Sequence, residues 1–211
     1  MRRVFVVIAL VTIAAGIGAP AQAAQGLGDL ILTSGEVGTG YVVESLPGGA
    51  GSGVGAPTLD LCGLSFPSEG RRVDRIQVTY AMPGKEPGVS NEVVRYRVGG
   101  AAQALREAAS VPGRCRERAV TLADGSTAIY RVSRLRLRGL PAGAVALSIV
   151  IMQDQGRTMK TTHAVAVYLR YGDTFSGVYA YGGASGAQQR LVARLAGESH
   201  ARLEQALGQI A

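Results

Sequence analysis

The stretch TTHAVAVYLRYGDTFSGVYAY, residues 161–181, decides how the C-terminal half of this chain is expected to fold. Two apolar runs, 161–171 and 174–181, are separated only by Gly172 and Asp173. Glycine and aspartate favour tight turns, and so short a connection joins neighbouring antiparallel strands. The stretch therefore predicts a β-hairpin.

Further apolar runs precede this hairpin. Residues 129–137 and 144–152 are parted by LPAG, and DQGR follows the second run. Nearer the N-terminus, residues 72–82 and 93–98 carry apolar side chains at every second position, on either side of a PGKEPG turn. Period-two alternation is typical of half-buried strands. The chain thus predicts about six strands, with an antiparallel meander at its C-terminal end.

One strand changes phase along its length. Tyr130 and Val132 are even-numbered, whereas Leu135 and Leu137 are odd-numbered. Because alternate residues face opposite sides of a sheet, this change predicts a bulge or bend near Ser133.

Two segments have helical spacing instead. The alanine-rich residues 101–111 are followed by Pro112 and Gly113, which we expect to end a helix. A long amphipathic helix is predicted after Ser185, a plausible N-cap. Together these elements predict an α+β fold, in which a twisted antiparallel sheet carries the alanine-rich helix and the C-terminal helix on one face.

The N-terminus has the layout of a secretory signal peptide. Arg2 and Arg3 precede an apolar run at 4–17, and Ala21-Gln22-Ala23 follows as a cleavage site. The run has 14 residues, whereas a membrane span needs about 20. We therefore expect no stable membrane span after cleavage, although a retained anchor is the alternative.

These patterns divide the chain into three parts. They are a signal peptide at 1–23, an N-terminal segment with a flexible glycine-rich loop at 24–58, and a single α+β domain at 59–211. A domain of this size can bury a proper core.

Only two cysteines occur, Cys62 and Cys115. In an exported protein such a pair is most simply a disulfide. A catalytic thiol is the competing interpretation, but it would need an activating base, and none is evident. Cleavage of the signal peptide would remove Arg2 and Arg3 and change the formal net charge from +7 to +5, which should still attract anionic envelope material, such as lipid headgroups or cell-wall fragments. Nucleic acid is not an expected partner outside the cell.

Few residues point to catalysis or to metal binding. A Ser-His-Asp site could use His163 with Asp173, but no nucleophile-elbow motif is present. Neither His163 nor His200 has a second ligand at metal-binding spacing. We predict no metal, no cofactor and no enzymatic activity, and a secreted hydrolase ranks last among the functions considered.

The densest charged feature is an arginine row in RLRLRG. Arg134, Arg136 and Arg138 occupy every second position, and Arg95 and Arg97 alternate in the same way on an earlier strand. Such guanidinium groups could bind phosphate or carboxylate. The alternative is a solvated sheet edge, because arginine also protects edges from unwanted pairing.

Four tyrosines crowd the last two strands: Tyr168, Tyr171, Tyr179 and Tyr181. Tyrosine combines a large apolar face with a hydroxyl group, which suits a ligand cleft. Cross-strand packing is the alternative interpretation.

Several of these segments resemble a known group of proteins. They are LDLCGLSFPSEGRRVDRIQVTY (59–80), SNEVVRYRVGGAAQALREAA (90–109) and Cys115, together with LILTSGEVGTGY, GLPAGAVAL and LRYGDTFSGVYAYG. Their order is similar to that of actinobacterial exported proteins and lipoproteins related to the extracellular sensor domain of PknH-type serine/threonine kinases. The resemblance implies an α+β fold with a groove and a disulfide, a role in sensing or binding an envelope ligand, and no catalytic motif.

We therefore predict a secreted, non-enzymatic ligand-binding or sensor-like domain of the cell envelope. Its cleft is expected between helix and sheet, lined by the tyrosines, with an anionic ligand steered by the arginines. The alternative is a structural or interaction protein of the envelope without a small-molecule site.

Overall fold

The computed structural model describes residues 26–44, 57–122, 125–154, 158–182 and 186–208. The predicted signal peptide, nearly all of the glycine-rich loop and the proposed N-cap Ser185 lie outside these ranges.

Within the described ranges, one antiparallel sheet of eight strands forms the centre of the molecule. In chain order the strands are β1 (Val42–Glu44), β2 (Arg72–Met82), β3 (Lys85–Tyr96), β4 (Arg118–Thr121), β5 (Thr127–Arg134), β6 (Val145–Asp154), β7 (Met159–Tyr171) and β8 (Thr174–Tyr181). The six predicted strands are present. The two additional strands, β1 and β4, form the two edges of the sheet and are too short to show a period in the sequence.

The strand order is β1-β2-β3-β8-β7-β6-β5-β4. The hairpin predicted from residues 161–181 is confirmed as β7 and β8, and its turn includes Gly172 at φ +56°, a left-handed conformation that favours glycine. Strand β8 also pairs with β3, from Gly88 to Arg95. This long-range pairing joins the N-terminal hairpin to the C-terminal meander in one sheet.

The two long helices, α2 (Gly100–Arg114) and α3 (Gly186–Leu207), pack on opposite faces of the sheet. On β7, Ala166 and Tyr168 pack in the cluster that contains α2, whereas Val165 and Val167 pack in the cluster that contains α3. The prediction that both helices share one face is therefore wrong. The continuous apolar run AVAVYL in β7 is typical of a strand that is covered on both faces.

Helix α2 begins where β3 ends. A Cβ atom on Gly100 would lie 2.7 Å from Cβ of Tyr96, so only glycine lets the helix start this close to the strand. The helix continues through Pro112 to Arg114, beyond its predicted end. Pro112 has no N–H to donate to the Ala108 carbonyl, so the helix loses one backbone hydrogen bond two residues before its end.

The N-terminal segment packs against α3. It contains a 3-10 turn (Leu27–Leu30) and the one-turn helix α1 (Ser34–Val37). Thr33 and Glu36 form a capping box at the N-terminus of α1. Arg202 of α3 forms an ion pair with Glu36. Arg194, eight residues before Arg202 in α3, donates a hydrogen bond to the backbone oxygen of Glu36 at 2.8 Å.

The predicted bulge near Ser133 is absent from β5. Its pairing with β6 runs regularly from Ala128 to Arg134. The apolar residues change from even to odd numbers because they pack on different faces of the sheet. Val132 packs on the α2 side, whereas Leu135 and Leu137, just beyond the strand, pack on the α3 side.

The disulfide between Cys62 and Cys115 is confirmed, with a Cα–Cα distance of 6.4 Å. It connects the residue that follows α2 to the segment that precedes β2, and both cysteines are buried. None of the helices in the described ranges is long and apolar enough to span a bilayer.

Candidate ligand-binding site

A cavity of about 360 Å³ lies on the α2 side of the sheet. Its floor is formed by residues of β2, β3 and β5–β8, and residues 57–61 form its wall. This wall leads directly into Cys62, so the disulfide anchors it next to the end of α2. No residue of α2 lines the cavity. This cavity therefore lies between the sheet and residues 57–61, whereas the predicted ligand cleft was placed between helix and sheet.

A buried ion pair forms the polar side of the cavity. Nε of Arg75 donates to Oε1 of Glu92 at 2.5 Å, and the two residues are only 6% and 1% exposed. The other carboxylate oxygen of Glu92 accepts a hydrogen bond from the hydroxyl of Tyr179 at 3.1 Å. Arg75 also donates to Gln77, whose amide donates to Oγ of Ser90 at 2.9 Å. The charged groups are thus held in place before any ligand binds.

The opposite side of the cavity is mostly apolar. Ile149 and Ile151 of β6 and Ala164 of β7 contribute aliphatic surface, and Tyr130 of β5 contributes an aromatic ring. The strand order separates these residues from Arg75 and Glu92, because β8 lies between β3 and the strands β5–β7. A molecule in the cavity would meet hydrogen-bonding groups at one end and mainly apolar groups at the other, with the exposed Asp60 carboxylate near Tyr130.

Burial changes the ionisation of the polar groups. It raises the pKa of Glu92 to about 7, although Arg75, Tyr179 and Thr58 favour the ionised carboxylate. Burial also raises the pKa of Tyr181 to about 12 and that of Tyr179 well above its usual value. Both tyrosines therefore keep their hydroxyl protons at neutral pH and can donate hydrogen bonds.

The position of the Tyr179 hydroxyl next to Glu92 depends on Gly177, two residues earlier in β8. Gly177 pairs directly with Glu92 across β8 and β3. A Cβ atom at position 177 would lie 2.5 Å from the hydroxyl oxygen of Tyr179 and 2.8 Å from Cζ. The Tyr179 ring occupies the space left by the missing side chain, and this position brings its hydroxyl to Glu92.

The polar residues of β3 make hydrogen bonds on both faces of the sheet. Glu92 faces the cavity, whereas the neighbouring Asn91 faces α3 and accepts a hydrogen bond from the Leu32 backbone at 2.9 Å. The Asn91 amide also donates to Ser176 at 3.2 Å and to the Gly177 carbonyl at 3.1 Å. The triplet Ser90-Asn91-Glu92 thus connects the cavity, the N-terminal segment and the centre of the sheet.

Three of the four predicted tyrosines line the cavity. Tyr168 and Tyr179 are buried there with their ring centroids 5.6 Å apart, and Tyr181 lies at the rim, stacked on Tyr179 at 6.2 Å. Tyr171 instead packs on the α3 side, with its ring centroid 6.4 Å from that of His200.

The predicted arginines lie outside this cavity. Arg134 ends β5, and Arg136 and Arg138 follow it in an exposed extended segment and turn. Arg95 and Arg97 belong to β3 and the residues just after it, and three strands separate β3 from β5. The structure therefore does not bring the two groups of arginines together on one surface.

The sequence patterns did not predict four of the cavity residues: Arg75, Gln77, Glu92 and Tyr130. A signal was available in PGVSNEVVRY, where three consecutive polar residues interrupt an apolar strand. Buried polar residues are more informative than exposed ones, because they need partners in the fold.

The residues considered for catalysis do not converge. His163 lies within β7, whereas Asp173 lies in the turn after its end, and the eight residue steps from His163 to Tyr171 span about 26 Å. The Asp173 carboxylate instead accepts a hydrogen bond from the Gly99 backbone at 2.7 Å. Among the described residues, no three His, Cys, Asp or Glu side chains are grouped to hold a metal ion.

Comparison with known proteins shows similarity in fold. No protein-family model and no curated protein sequence matches the chain. The crystal structure of the extracellular domain of PknH from Mycobacterium tuberculosis superposes with a TM-score of 0.52 at 14% identity. The match covers 82% of this chain and 94% of that chain. The resemblance to the PknH extracellular domain is thus confirmed at the level of the fold.

Proposed function

We propose that this protein is an exported, non-enzymatic ligand-binding domain with a sensor-like role, and that the cavity beside residues 57–61 holds its ligand. The observation that carries the proposal is a cavity of about 360 Å³ with a buried Arg75–Glu92 pair at one end and aliphatic side chains at the other. Small-molecule sites typically combine such an apolar concave surface with a few fixed polar groups. The disulfide and the similarity to an extracellular domain support the export of the protein.

The cavity favours a ligand with an apolar body and one uncharged, hydrogen-bonding end. Arg75, the one cationic residue of the described lining, is already paired with Glu92, so an anionic ligand would meet no unpaired positive charge there. The hydroxyl of Tyr181 and the amide of Gln77 can exchange hydrogen bonds with a polar group. The tyrosines Tyr168, Tyr179 and Tyr181 therefore remain proposed ligand contacts, whereas the arginine row does not contribute to this cavity.

A cavity-filling substitution tests the proposal. Ile151→Trp would place an indole in the cavity, whereas Met152→Trp, on the next residue of β6, would face the α3 side. We expect uncharged envelope lipids or cell-wall fragments to raise the melting temperature of the wild type and of Met152→Trp but not of Ile151→Trp. Native mass spectrometry of the purified protein would show whether a ligand is retained.

Two outcomes of this screen would contradict the proposal. One is an equal thermal shift in Ile151→Trp, which would place binding elsewhere. The other is the absence of any shift or retained ligand, which would favour the alternative function, a structural or interaction protein of the envelope.

Export is tested separately by N-terminal sequencing of the secreted protein. Cleavage after Ala23 gives an N-terminus at Ala24 and leaves the 24–58 segment attached to the 59–211 domain. A retained anchor would leave the protein in the membrane fraction with residues 1–23 still present.

A further inference from the structure

A second concave surface lies on the α2 side of the sheet, at the other ends of β5 and β6. It is a groove of about 340 Å³ between α2 and the strands, with Leu105 and Val145 in its floor. The ligand cavity uses Tyr130 and Ile151 of the same two strands, and the two sites share no lining residue. The groove is therefore a separate site.

Three arginines from three different elements line this groove. Arg106 comes from α2, Arg134 from the end of β5 and Arg170 from β7. Arg134 lies in phase with Val132, and Arg170 with Tyr168, so both side chains are directed to the α2 side. Residues that are distant in the sequence thus bring three guanidinium groups to one groove.

These three arginines have no carboxylate partner within the described part of the chain, and none of the described lining residues is acidic. Arg170 makes a single long hydrogen bond, to the Gly172 carbonyl at 3.4 Å. Arginines elsewhere do have carboxylate partners, for example Arg75 with Glu92 and Arg194 with Glu198. All three groove arginines are exposed, so their donors are open to a ligand.

We infer that the groove binds a phosphate ester through Arg106, Arg134 and Arg170. Guanidinium groups pair bidentately with phosphate oxygens, and a tetrahedral phosphate can be approached from three directions at once. A planar carboxylate has only two oxygens and a single charge, so it would leave at least one arginine unpaired. Arg136 and Arg138, next along the extended segment, add positive potential beside the groove.

The apolar floor of the groove favours a phosphate ester over inorganic phosphate. Leu105, Val145 and the small residues Ala102 and Ala109 offer surface on which the carbon atoms next to a phosphate could rest. Such a phosphate ester could be a soluble molecule or a phospholipid headgroup. Calorimetry with glycerol phosphate tests the first source, and sedimentation with phospholipid vesicles tests the second.

The test compares two triple variants of equal charge. Arg106→Gln, Arg134→Gln and Arg170→Gln together remove the groove cations. Arg116→Gln, Arg118→Gln and Arg190→Gln together remove three exposed arginines elsewhere. Binding is measured for glycerol phosphate, inorganic phosphate and acetate by calorimetry. Sedimentation measures binding to vesicles of phosphatidylcholine with and without phosphatidylglycerol, at low and at raised salt.

We expect the wild type and the control variant to bind glycerol phosphate more tightly than inorganic phosphate or acetate. Charge-assisted hydrogen bonds at an exposed site predict that the groove variant binds at least about tenfold more weakly. Binding confined to phosphatidylglycerol vesicles, with the same loss in the groove variant only, would support the site with a lipid as the source. Equal losses in both variants, acetate binding as tightly as phosphate, or no binding to any probe would overturn the inference.

Discussion

The hydroxyl of Tyr179 donates a hydrogen bond to the carboxylate of Glu92 at 3.1 Å, although the two residues are 87 positions apart in the chain. This contact exists because β3 and β8 are neighbours in the sheet and because residue 177 is a glycine. It connects the buried Arg75–Glu92 pair to the tyrosines of the C-terminal hairpin. The proposed binding cavity is organised around this contact.

Replacing Gly177 with alanine should displace the Tyr179 ring. The added Cβ atom would lie 2.5 Å from the hydroxyl oxygen, so the ring must move and the bond to Glu92 is lost. Overpacking of this kind costs about 1–3 kcal/mol. Urea denaturation measures this loss. As a control, Gly197→Ala in α3 meets no atom within 4 Å and should stabilise the protein by about 0.5–1 kcal/mol. An unchanged stability of Gly177→Ala would contradict the assigned position of the ring.

Glu92 should make the protein less stable as the pH rises through the neutral range. Burial raises its pKa from 4.5 to about 7, so the folded state holds the proton more tightly than the unfolded chain does. The stability that this proton contributes is fully present below pH 4.5 and is lost as the pH rises through about 7, by up to about 3 kcal/mol. Urea denaturation across this pH range measures the change.

Two variants isolate the contribution of Glu92. Glu92→Gln keeps a neutral side chain of the same shape as protonated Glu92, so its stability should be close to that of the wild type at low pH and should change less between pH 4.5 and 7. Glu117→Gln removes an exposed carboxylate that pairs with Arg131, and it should keep the pH dependence of the wild type. A wild-type stability that increases over this range, with the increase lost in Glu92→Gln, would show that the ionised form is the favoured one.

Asn91→Leu should loosen the N-terminal segment. The Asn91 side chain accepts from the Leu32 backbone and donates to Ser176 and Gly177, and leucine can replace none of these bonds. Leaving buried backbone groups without partners should cost about 2–3 kcal/mol. We expect faster hydrogen exchange of the Leu32 amide and a lower free energy of unfolding.

A matched control for Asn91→Leu is Gln153→Leu. Gln153 is half-buried near the end of β6, where its amide makes one long bond to Ser126 at 3.3 Å. Its replacement should change stability by less than about 0.5 kcal/mol. Equal effects of the two substitutions would show that the Asn91 network contributes nothing specific.

Replacing Cys62 and Cys115 with serine should cost about 4 kcal/mol, because the disulfide limits the freedom of the unfolded chain across a sequence separation of 53 residues. The wall of the cavity should also become more mobile, since residues 57–61 lead into Cys62. Urea denaturation with and without a reducing agent measures the effect. The reductant should lower the stability of the wild type and leave the double variant unchanged; a wild type that is insensitive to reductant would contradict the prediction.

Local sequence patterns were sufficient for most individual elements. The period-two runs predicted six strands, the spacing of alanines predicted α2, and the pair of cysteines predicted the disulfide. They were insufficient for β1 and β4, because strands of three and four residues show no period. They also misplaced α3, because a helical stripe shows that one face is buried but not which side of the sheet it covers.

The sequence by itself determined six of the strands, the two long helices and the cysteine pair, because these depend on the properties of neighbouring residues. Only the tertiary structure decided that α2 and α3 lie on opposite faces of the sheet. It also decided that Arg75, Glu92 and Tyr179 line one cavity. Arg106, Arg134 and Arg170 line a separate groove for the same reason. The physical reason is the pairing of β3 with β8 and the order of the strands that follow. Which side chains share a surface is set by strand register and layer packing, and no local period carries that information.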